Sequence, residues 1–343
     1  MLQSGPAPSA ASVDHPIVDP ERDPCSTVHL TVLVCTHDRD RLLERTLGFL
    51  DRARPPQDCN VDVLVVANAC TDRTHEYLER KAQSGLGLPL RWDAEPRPGK
   101  SHALNRGIGS LESDWVAFVD DDHRVDPSYL EAVCDAVRDH PDADIFCGRI
   151  LPDWDGTEPA WVHDAGDYRI YPLPVPRYDL GSETLDASRI PTIPGGGNLV
   201  VRSRLFALTG PFSVDLGPIG HNLGGGEDQE WVRRAIGAGA RLCYVPFIVQ
   251  HHYVDRERLR LPYLTRKAFE RSASTVRMGV EDIDRGFVPP YMVRKVVQYL
   301  LGLLTTIRPR ARRYHIVRLA SALGEIKGYL QARADRSGRS GQR

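Results

Sequence analysis

Apolar residues in this chain come in two alternating rhythms. "VHLTVLVC" from Val28 and "VDVLVV" from Val61 are short runs of β-branched and aliphatic residues, the mark of strands buried on both faces, and each stops at a polar cluster. Between them "DRLLERTLGFLDRA" from Asp40 spaces its apolar positions as a helix does. The alternation continues through "HEYLERKAQS" (helix), "LPLRWDAE" (strand), "SHALNRGIGSL" (helix), and a fourth strand opening on "WVAFVDDD". Strands that alternate with helices predict a parallel sheet covered on both faces. A further helix, "DPSYLEAVCDAVRDH", and strand, "ADIFCGRI", follow. Leu151 to Pro194 is rich in Pro, Asp, Gly and Tyr without period, and reads as a long loop-rich insertion bordering a site.

Ligands in such sheets bind beyond the carboxyl ends of the strands. Three strands here end in polar clusters, at Thr36–Arg39, Asn68–Asp72 and Asp120–Asp122, which should converge on one crevice. An isolated triple acid is ordinarily a solvated turn. At a parallel-strand end, closely spaced hard oxygen donors suit Mg²⁺ or Mn²⁺ bridging to phosphates instead. Strand alternation would let Asp120 and Asp122 converge while Asp121 points elsewhere.

Glu227 and Asp228 in "GGGEDQEW" form a second acid pair at a helix start. Carboxylates there serve either as partners of the helix dipole or as a catalytic base approached closely by substrate, and the segment alone leaves both open. "PGGGNLVV" is either a turn into a strand or a place where a sugar lies against backbone amides near Gly196, Gly197 and Asn198. His251 and His252 close a strand, so one of them faces the ligand side, where an imidazole could complete a metal shell. Lys100 is placed to meet phosphate, and Asn105 to orient its loop.

Composition narrows the picture. The chain has 343 residues, 41% of them hydrophobic and 26% charged, as in an ordinary globular protein. A formal net charge of −2 lacks the basic footprint of a nucleic-acid binder, although the chain after Arg256 is crowded with arginine. Seven scattered cysteines without a C-x-x-C pair read as reduced thiols of a cytosolic protein. Residues 1–27 lack the charged and apolar regions of a secretory signal and are expected to be a flexible leader. "VVQYLLGLLTTI" from Val296 is too short to span a bilayer, which takes about 20 apolar residues.

In order and spacing, "VLVCTHDR", "VLVVANACTDRT", "GKSHALNRGI", "VAFVDDDHR", "PGGGNLVVRS", "GGGEDQEWVRRA" and "YVPFIVQHH" resemble the family 2 glycosyltransferases over roughly Leu30 to Gly279. The resemblance implies an α/β GT-A fold: a Rossmann-like, mixed but mostly parallel sheet with helices on both faces, plus a helical C-terminal extension. It implies a catalytic domain over 28–260, with a nucleotide half at about 28–125 and an acceptor half at about 126–260. A helical region over 261–332 and a disordered tail over 333–343 complete the expected organisation.

The implied activity is inverting transfer of a sugar from a UDP-, GDP- or dTDP-linked donor to an acceptor hydroxyl on a glycan, lipid-linked carrier or small molecule. Asp228, with Glu227, is the implied catalytic pair. The resemblance places Asp122 toward a Mn²⁺ or Mg²⁺ ion and Asp120 toward the ribose or sugar, and Asp120 and the strand-end His252 are the further metal ligands expected. Thr36, His37, Arg39, Asn68, Lys100, Asn105, Asp120, Asp121, Gly196, Gly197 and Asn198 are expected on the donor side, with Thr36 and Arg39 bordering the base. Where the family usually carries Asp after the second strand, this chain has Ala67 and then Asn68, whose amide could replace the carboxylate at the base.

A phosphatase of the D-x-D type would need Thr or Val two residues beyond its second Asp, where this chain has Arg124. A sugar nucleotidyltransferase would show a glycine-rich loop in place of "CTHDR". A non-catalytic nucleotide-sugar or metal-binding module would have no use for the second acid pair. The C-terminal helices, mixing apolar stripes with Arg and Lys, pack on the protein or another subunit, or lie on a membrane from the cytoplasmic side.

Overall fold

The computed structural model describes residues 27–85, 87–171, 175–215, 226–279 and 288–340. Its strands in chain order are β1 (Val28–Thr36), β2 (Cys59–Asn68), β3 (Leu90–Glu95), β4 (Trp115–Phe118), β5 (His123–Val125), β6 (Ile145–Asp153), β7 (Leu185–Asp186), β8 (Leu199–Arg202) and β9 (Leu242–Tyr253). The helices are α1 (Asp40–Leu50), α2 (Thr74–Ser84), α3 (Lys100–Ile108), α4 (Tyr129–Asp139), α5 (Leu205–Thr209), α6 (Glu227–Gly237), α7 (Leu261–Gly279), α8 (Pro290–Thr305) and α9 (Pro309–Ser340). They fall into two compact units. One is Tyr178–His251 with the chain up to Leu151, and the other is Pro152–Arg177 with the chain from His252 onward.

The first unit is built on the sheet, in the order β3-β2-β1-β4-β8-β6-β9-β5, with β7 alongside β9. β3, β2, β1 and β4 are parallel, and β8 runs antiparallel to both β4 and β6. Strand order reverses at β1: the chain steps outward to β2 and β3, then returns to place β4 on the other side of β1. The crevice past β1 and β4 is thus the topological switch point where α/β sheets bind ligands.

Both faces of the sheet are covered, as the unbroken apolar runs require. On one face Val32 and Val34 of β1 pack with Leu43, Leu47 and Leu50 of α1, and with Val133 of α4. On the other, Leu33 packs with Ala103 and Leu104 of α3 and with Trp231, Val232 and Ala235 of α6. Trp231 is fully buried, its ring 4.8 Å from Phe206 and 5.4 Å from Phe212, and its indole N–H donates to the Gly210 carbonyl at 2.9 Å. That anchor lies one turn after Asp228 on α6 and fixes the start of the helix.

Cys59 at the head of β2 and Cys134 in α4 form a disulfide, with Cα atoms 6.6 Å apart. This corrects the reading of the cysteines as reduced thiols, and with it the argument for a reducing compartment. The pairing spans 75 residues and is made by packing α4 against the sheet, which spacing along the chain does not reveal. Cys35, Cys70, Cys147 and Cys243 are free thiols, and Cys25 lies outside the described residues.

In the second unit, α7, α8 and α9 pack together. Gly324 and Gly328, one turn apart on α9, meet the α7 backbone so closely that an added Cβ would lie 2.2 Å from the carbonyl oxygens of Phe269 and Ala273. The segment Pro152–Arg177 belongs with these helices. Asp164 pairs with Arg310 at 2.6 Å, the Arg313 guanidinium lies 4.9 Å over Trp161, and Tyr168 packs edge-on to Tyr314.

The insertion expected over 151–194 is therefore divided: its first part belongs to the helical unit, while Tyr178 bridges back to Ile150 in the first. α9 continues to Ser340, through most of the 333–343 stretch expected to be a disordered tail, carried there by the good helix formers Gln331 to Ala334. The expected leader, apart from Thr27, and residues 341–343 lie outside the described residues. Among the described residues no helix is long and apolar enough to cross a membrane.

Replacing Trp231 by Ala should cost about 3–5 kcal/mol, through the lost aromatic packing and the cavity left behind. Urea denaturation of the two proteins measures this, and a loss below 1 kcal/mol, the scale of a surface substitution, would mean that the α6 anchor is elsewhere.

Candidate active site

The three acids after β4 do not continue the strand. Asp120 to His123 form a turn closed by the His123 N–H donating to the Asp120 carbonyl at 3.0 Å, so strand alternation does not sort their side chains. Asp120 faces Lys100, whose Nζ lies 3.1 Å from Oδ1. Asp121 and Asp122 face Arg39 instead, which donates to them at 2.9 and 3.1 Å. Asp121 also accepts the Thr36 hydroxyl at 2.7 Å, and burial pushes its carboxyl up to about 6 against the opposing pull of Arg39. The turn is seated on α1, where the buried Thr46 hydroxyl reaches the carbonyls of Asp121 and His123 at 2.9 and 2.8 Å.

The loops after β1 and β2 are interlocked beside it. Asp38, at φ 50°, accepts the backbone N–H groups of Thr71 and Asp72, and Asp72 in turn accepts the N–H of Asp40. His37 Nδ1 sits 2.7 Å from the Asn68 carbonyl. The three polar strand ends do converge.

Asn68 itself is 4% exposed and faces inward. Its Nδ2 donates to the carbonyls of Glu95 and Arg97, and its Oδ1 accepts the Gly99 N–H at 2.8 Å. Its amide holds the β3–α3 loop from which Lys100 rises, a different task from the base contact expected of it. Asn105 clamps the backbone of Phe212 with both amide functions, at 2.9 and 2.8 Å. Asn198 is equally occupied: its Nδ2 reaches the carbonyls of Arg149 and Ile248, and its Oδ1 accepts from Gln250. These three amides position the site from beneath.

Lys100 joins the two acid groups. Besides Asp120, its Nζ lies 3.8 Å from Asp228 Oδ2 at the start of α6. Burial pulls the pKa of this ammonium down, but Asp120, Asp228 and Glu227 more than reverse that and raise it well above the ordinary lysine value. Asp228 Oδ2 also accepts the Gly196 N–H at 3.0 Å.

Glycine is required at that approach. A Cβ at Gly196 would stand 2.2 Å from the Asp228 carboxyl carbon, and one at Gly197 would stand 2.8 Å from Asp120 Oδ2 and 2.9 Å from the His123 ring. The first triple glycine is thus the surface against which both acids rest. Lys100, Asp120, Gly196 and Asp228 line one pocket with Cys35, Phe118 and Phe212.

Glu227 is buried beside Asp228, and its Oε2 finds no hydrogen-bond partner among the described residues. Burial first, and then the Asp228 charge, raises its pKa. Of the second triple glycine only Gly226 is described, at φ 109°, a conformation in which it opens the helix.

β9 alternates from Ile248 onward, burying Ile248, Gln250 and His252 and leaving His251 partly exposed. His252 opens the second unit, with its Nδ1 2.6 Å from the Tyr253 carbonyl. Two residues of the first unit escaped the sequence reading. Gln250, wholly buried, donates through Nε2 to the Phe118 carbonyl and to Asn198 Oδ1, and its Oε1 faces His123 Nδ1 at 2.6 Å. With the amide oxygen as acceptor, the His123 Nδ1 carries the proton, and Nε2 is turned to Asp120 Oδ2 at 3.8 Å. The parity of Gln250 with Ile248 on β9 is the signal that would have found it.

Could these residues hold a divalent ion? Asp122 supplies a carboxylate oxygen and His123 an imidazole nitrogen within 4.8 Å of it, whereas Asp120, expected beside Asp122 as a metal ligand, is turned to Lys100 instead. That hard-to-borderline donor chemistry fits Mn²⁺ or Mg²⁺.

Residues 31–195 match the model of Glycosyl transferase family 2. This part of the chain is a family 2 glycosyltransferase domain. The chain is 25% identical over 262 residues to the succinoglycan biosynthesis protein ExoM of Rhizobium meliloti (strain 1021), covering 75% of this chain and 77% of that protein. It is 33% identical to a glucosyl-dolichyl phosphate glucuronosyltransferase of Haloferax volcanii over 137 residues, 38% of this chain and 41% of the relative.

Among solved structures, a mannosyltransferase from Pyrobaculum calidifontis in complex with GDP-Man and Mn²⁺ superposes with a TM-score of 0.51 at 19% identity, over 92% of this chain and 78% of that one. TarS of S. aureus gives 0.52 at 16% identity, over 88% of this chain and 55% of its own. These likenesses establish the fold expected from the sequence, a GT-A sheet with C-terminal helices.

Exchanging Gln250 for Leu should destabilise the protein by at least about 2 kcal/mol, because His123, Asn198 and the Phe118 carbonyl each lose a buried partner. Denaturant titration measures this, and an unchanged midpoint would show that the buried chain of amides carries no stability.

Proposed function

We propose that the chain transfers a sugar from a nucleoside diphosphate donor to an acceptor hydroxyl, with inversion at the anomeric carbon. The observation that carries this reading is the shared contact of Lys100 with Asp120 and Asp228, which gathers the acid of the strand-end turn and the acid of α6 around one pocket. A binding module would need the first acid alone.

In this reading Asp228 is the base. Its carboxylate takes the proton of the acceptor hydroxyl as the oxygen bonds to the anomeric carbon. The bond from that carbon to the diphosphate oxygen breaks on the opposite face, and the electron pair leaves with the nucleoside diphosphate. The Gly196 N–H and Lys100 hold Asp228 in place. Glu227, with an unpartnered buried oxygen one residue away, is suited to accept a hydrogen bond from the acceptor sugar. A divalent ion held at Asp122, of the kind present with the mannosyltransferase of similar fold, would supply charge neutralisation to the leaving diphosphate. Thr36, His37 and Arg39 border the donor's nucleotide end. The donor is UDP-, GDP- or dTDP-linked, and the acceptor is a glycan, lipid-linked or small-molecule hydroxyl.

Asp228→Asn should lower turnover by about 10²–10⁴-fold, the usual contribution of a general base, while donor binding by calorimetry stays near that of the parent. Retained turnover would remove Asp228 from the role. Asp122→Ala and chelation should each suppress transfer, with Mn²⁺ or Mg²⁺ restoring the chelated parent; transfer that ignores both would end the metal assignment. The product's anomeric configuration, read by NMR against the donor's, tests direct displacement, and retention would contradict it.

A further inference from the structure

We infer that α8 docks the second unit on a membrane surface that carries anionic headgroups. Val293, Val297, Leu300, Leu301 and Leu304 are 44–73% exposed and recur at intervals of three and four residues, so they form one continuous stripe along the helix. Ile307, just past the helix end and 90% exposed, extends it. Exposed apolar side chains scattered singly need no explanation, but a contiguous stripe marks an interaction surface. The inward side of the same helix is already used: Met292 is buried, and Gly302 lets α8 approach His315 of α9.

Charge identifies the occupant. From 287 to 324 the chain has seven Lys and Arg residues and no Asp or Glu. Some of these cations are engaged within the unit, Arg310 with Asp164, Lys295 with Glu325, and Arg313 over Trp161. Arg294, Arg308 and Arg312 are exposed. A second copy pressed against this face would bring arginines against arginines, with no carboxylate in the segment to answer them, because a two-fold interface sets a patch against itself.

An anionic bilayer meets both features, taking the leucines into its acyl boundary and the guanidinium groups among its phosphates. At 16 residues the helix is about 24 Å long, shorter than the roughly 30 Å hydrocarbon core, so it lies in the plane of the surface and does not cross it. The inference does not depend on the transferase reading.

The test is flotation of the full chain with vesicles of phosphatidylcholine alone, or of phosphatidylcholine mixed with an equal part of phosphatidylglycerol. Light scattering without lipid gives the oligomeric state. The chain should float with the anionic vesicles. R294Q/R308Q/R312Q should weaken that partitioning on the order of a hundredfold, at about fivefold for each arginine. L300S/L301S/L304S should abolish it while leaving the far-UV circular dichroism and the hydrolysis of donor without vesicles unchanged.

Three results would overturn the inference: no flotation with anionic vesicles, undiminished binding by the triple arginine variant, or a lipid-free dimer that the triple leucine variant dissolves. The last would give the face to a second copy. Loss of donor hydrolysis in the parent protein would bear on the transferase reading alone.

Discussion

The site depends on one ammonium group held between two carboxylates. Asp120, Asp121, Asp122, Glu227 and Asp228 crowd the carboxyl end of the sheet, and unpaired carboxylates at such spacing drive one another toward protonation. Glu227 and Asp121 show that pressure directly, since both are raised by burial and neighbouring charge. Lys100 relieves it at the point where the two acid groups meet, and Arg39 relieves it for Asp121 and Asp122. Burial alone would favour a neutral lysine, and the surrounding acids keep it charged.

That electrostatic arrangement rests on backbone held in place by buried amides. Asn68 carries the loop below Lys100, Asn198 ties the glycine turn to β6 and β9, and Gln250 links Asn198 to His123 beneath Asp120. Each has its polar atoms occupied by neighbours, which makes it costly to replace and rigid in position. Gly196 and Gly197 complete the support from the other side, since any side chain there would occupy the space of the carboxylates. Loops connected by buried hydrogen bonds give a preorganised site, in which charges need little rearrangement when a ligand enters.

Much of this was legible from pattern. Apolar runs ending in polar residues located β1, β2 and β4 and predicted that their loops would converge, because topology alone forces that outcome in a parallel sheet. The partners within the crevice were less readable. Strand alternation suggested that Asp120 and Asp122 would point together, but the chain turns at Asp120, and Asp122 shares Arg39 with Asp121 instead. Asn68 and Asn198 looked like ligand contacts because polar residues in loops usually face outward, yet tertiary packing turned both inward. The Cys59–Cys134 pairing was invisible for the same reason, as it depends on where α4 lies and not on spacing.

The net charge of −2 conceals two local imbalances of opposite sign. Acids dominate the sheet's carboxyl end, whereas the stretch from 287 to 324 contains no acid at all. Because screening at physiological ionic strength limits the reach of exposed charges to about 8 Å, each region attracts ligands according to its own sign and not the total. An acidic pocket selects a cation, or a phosphate that arrives with one. A basic, leucine-lined helix selects an anionic surface. Composition averages the two regions away, and the placement of the charges along the fold is what separates them.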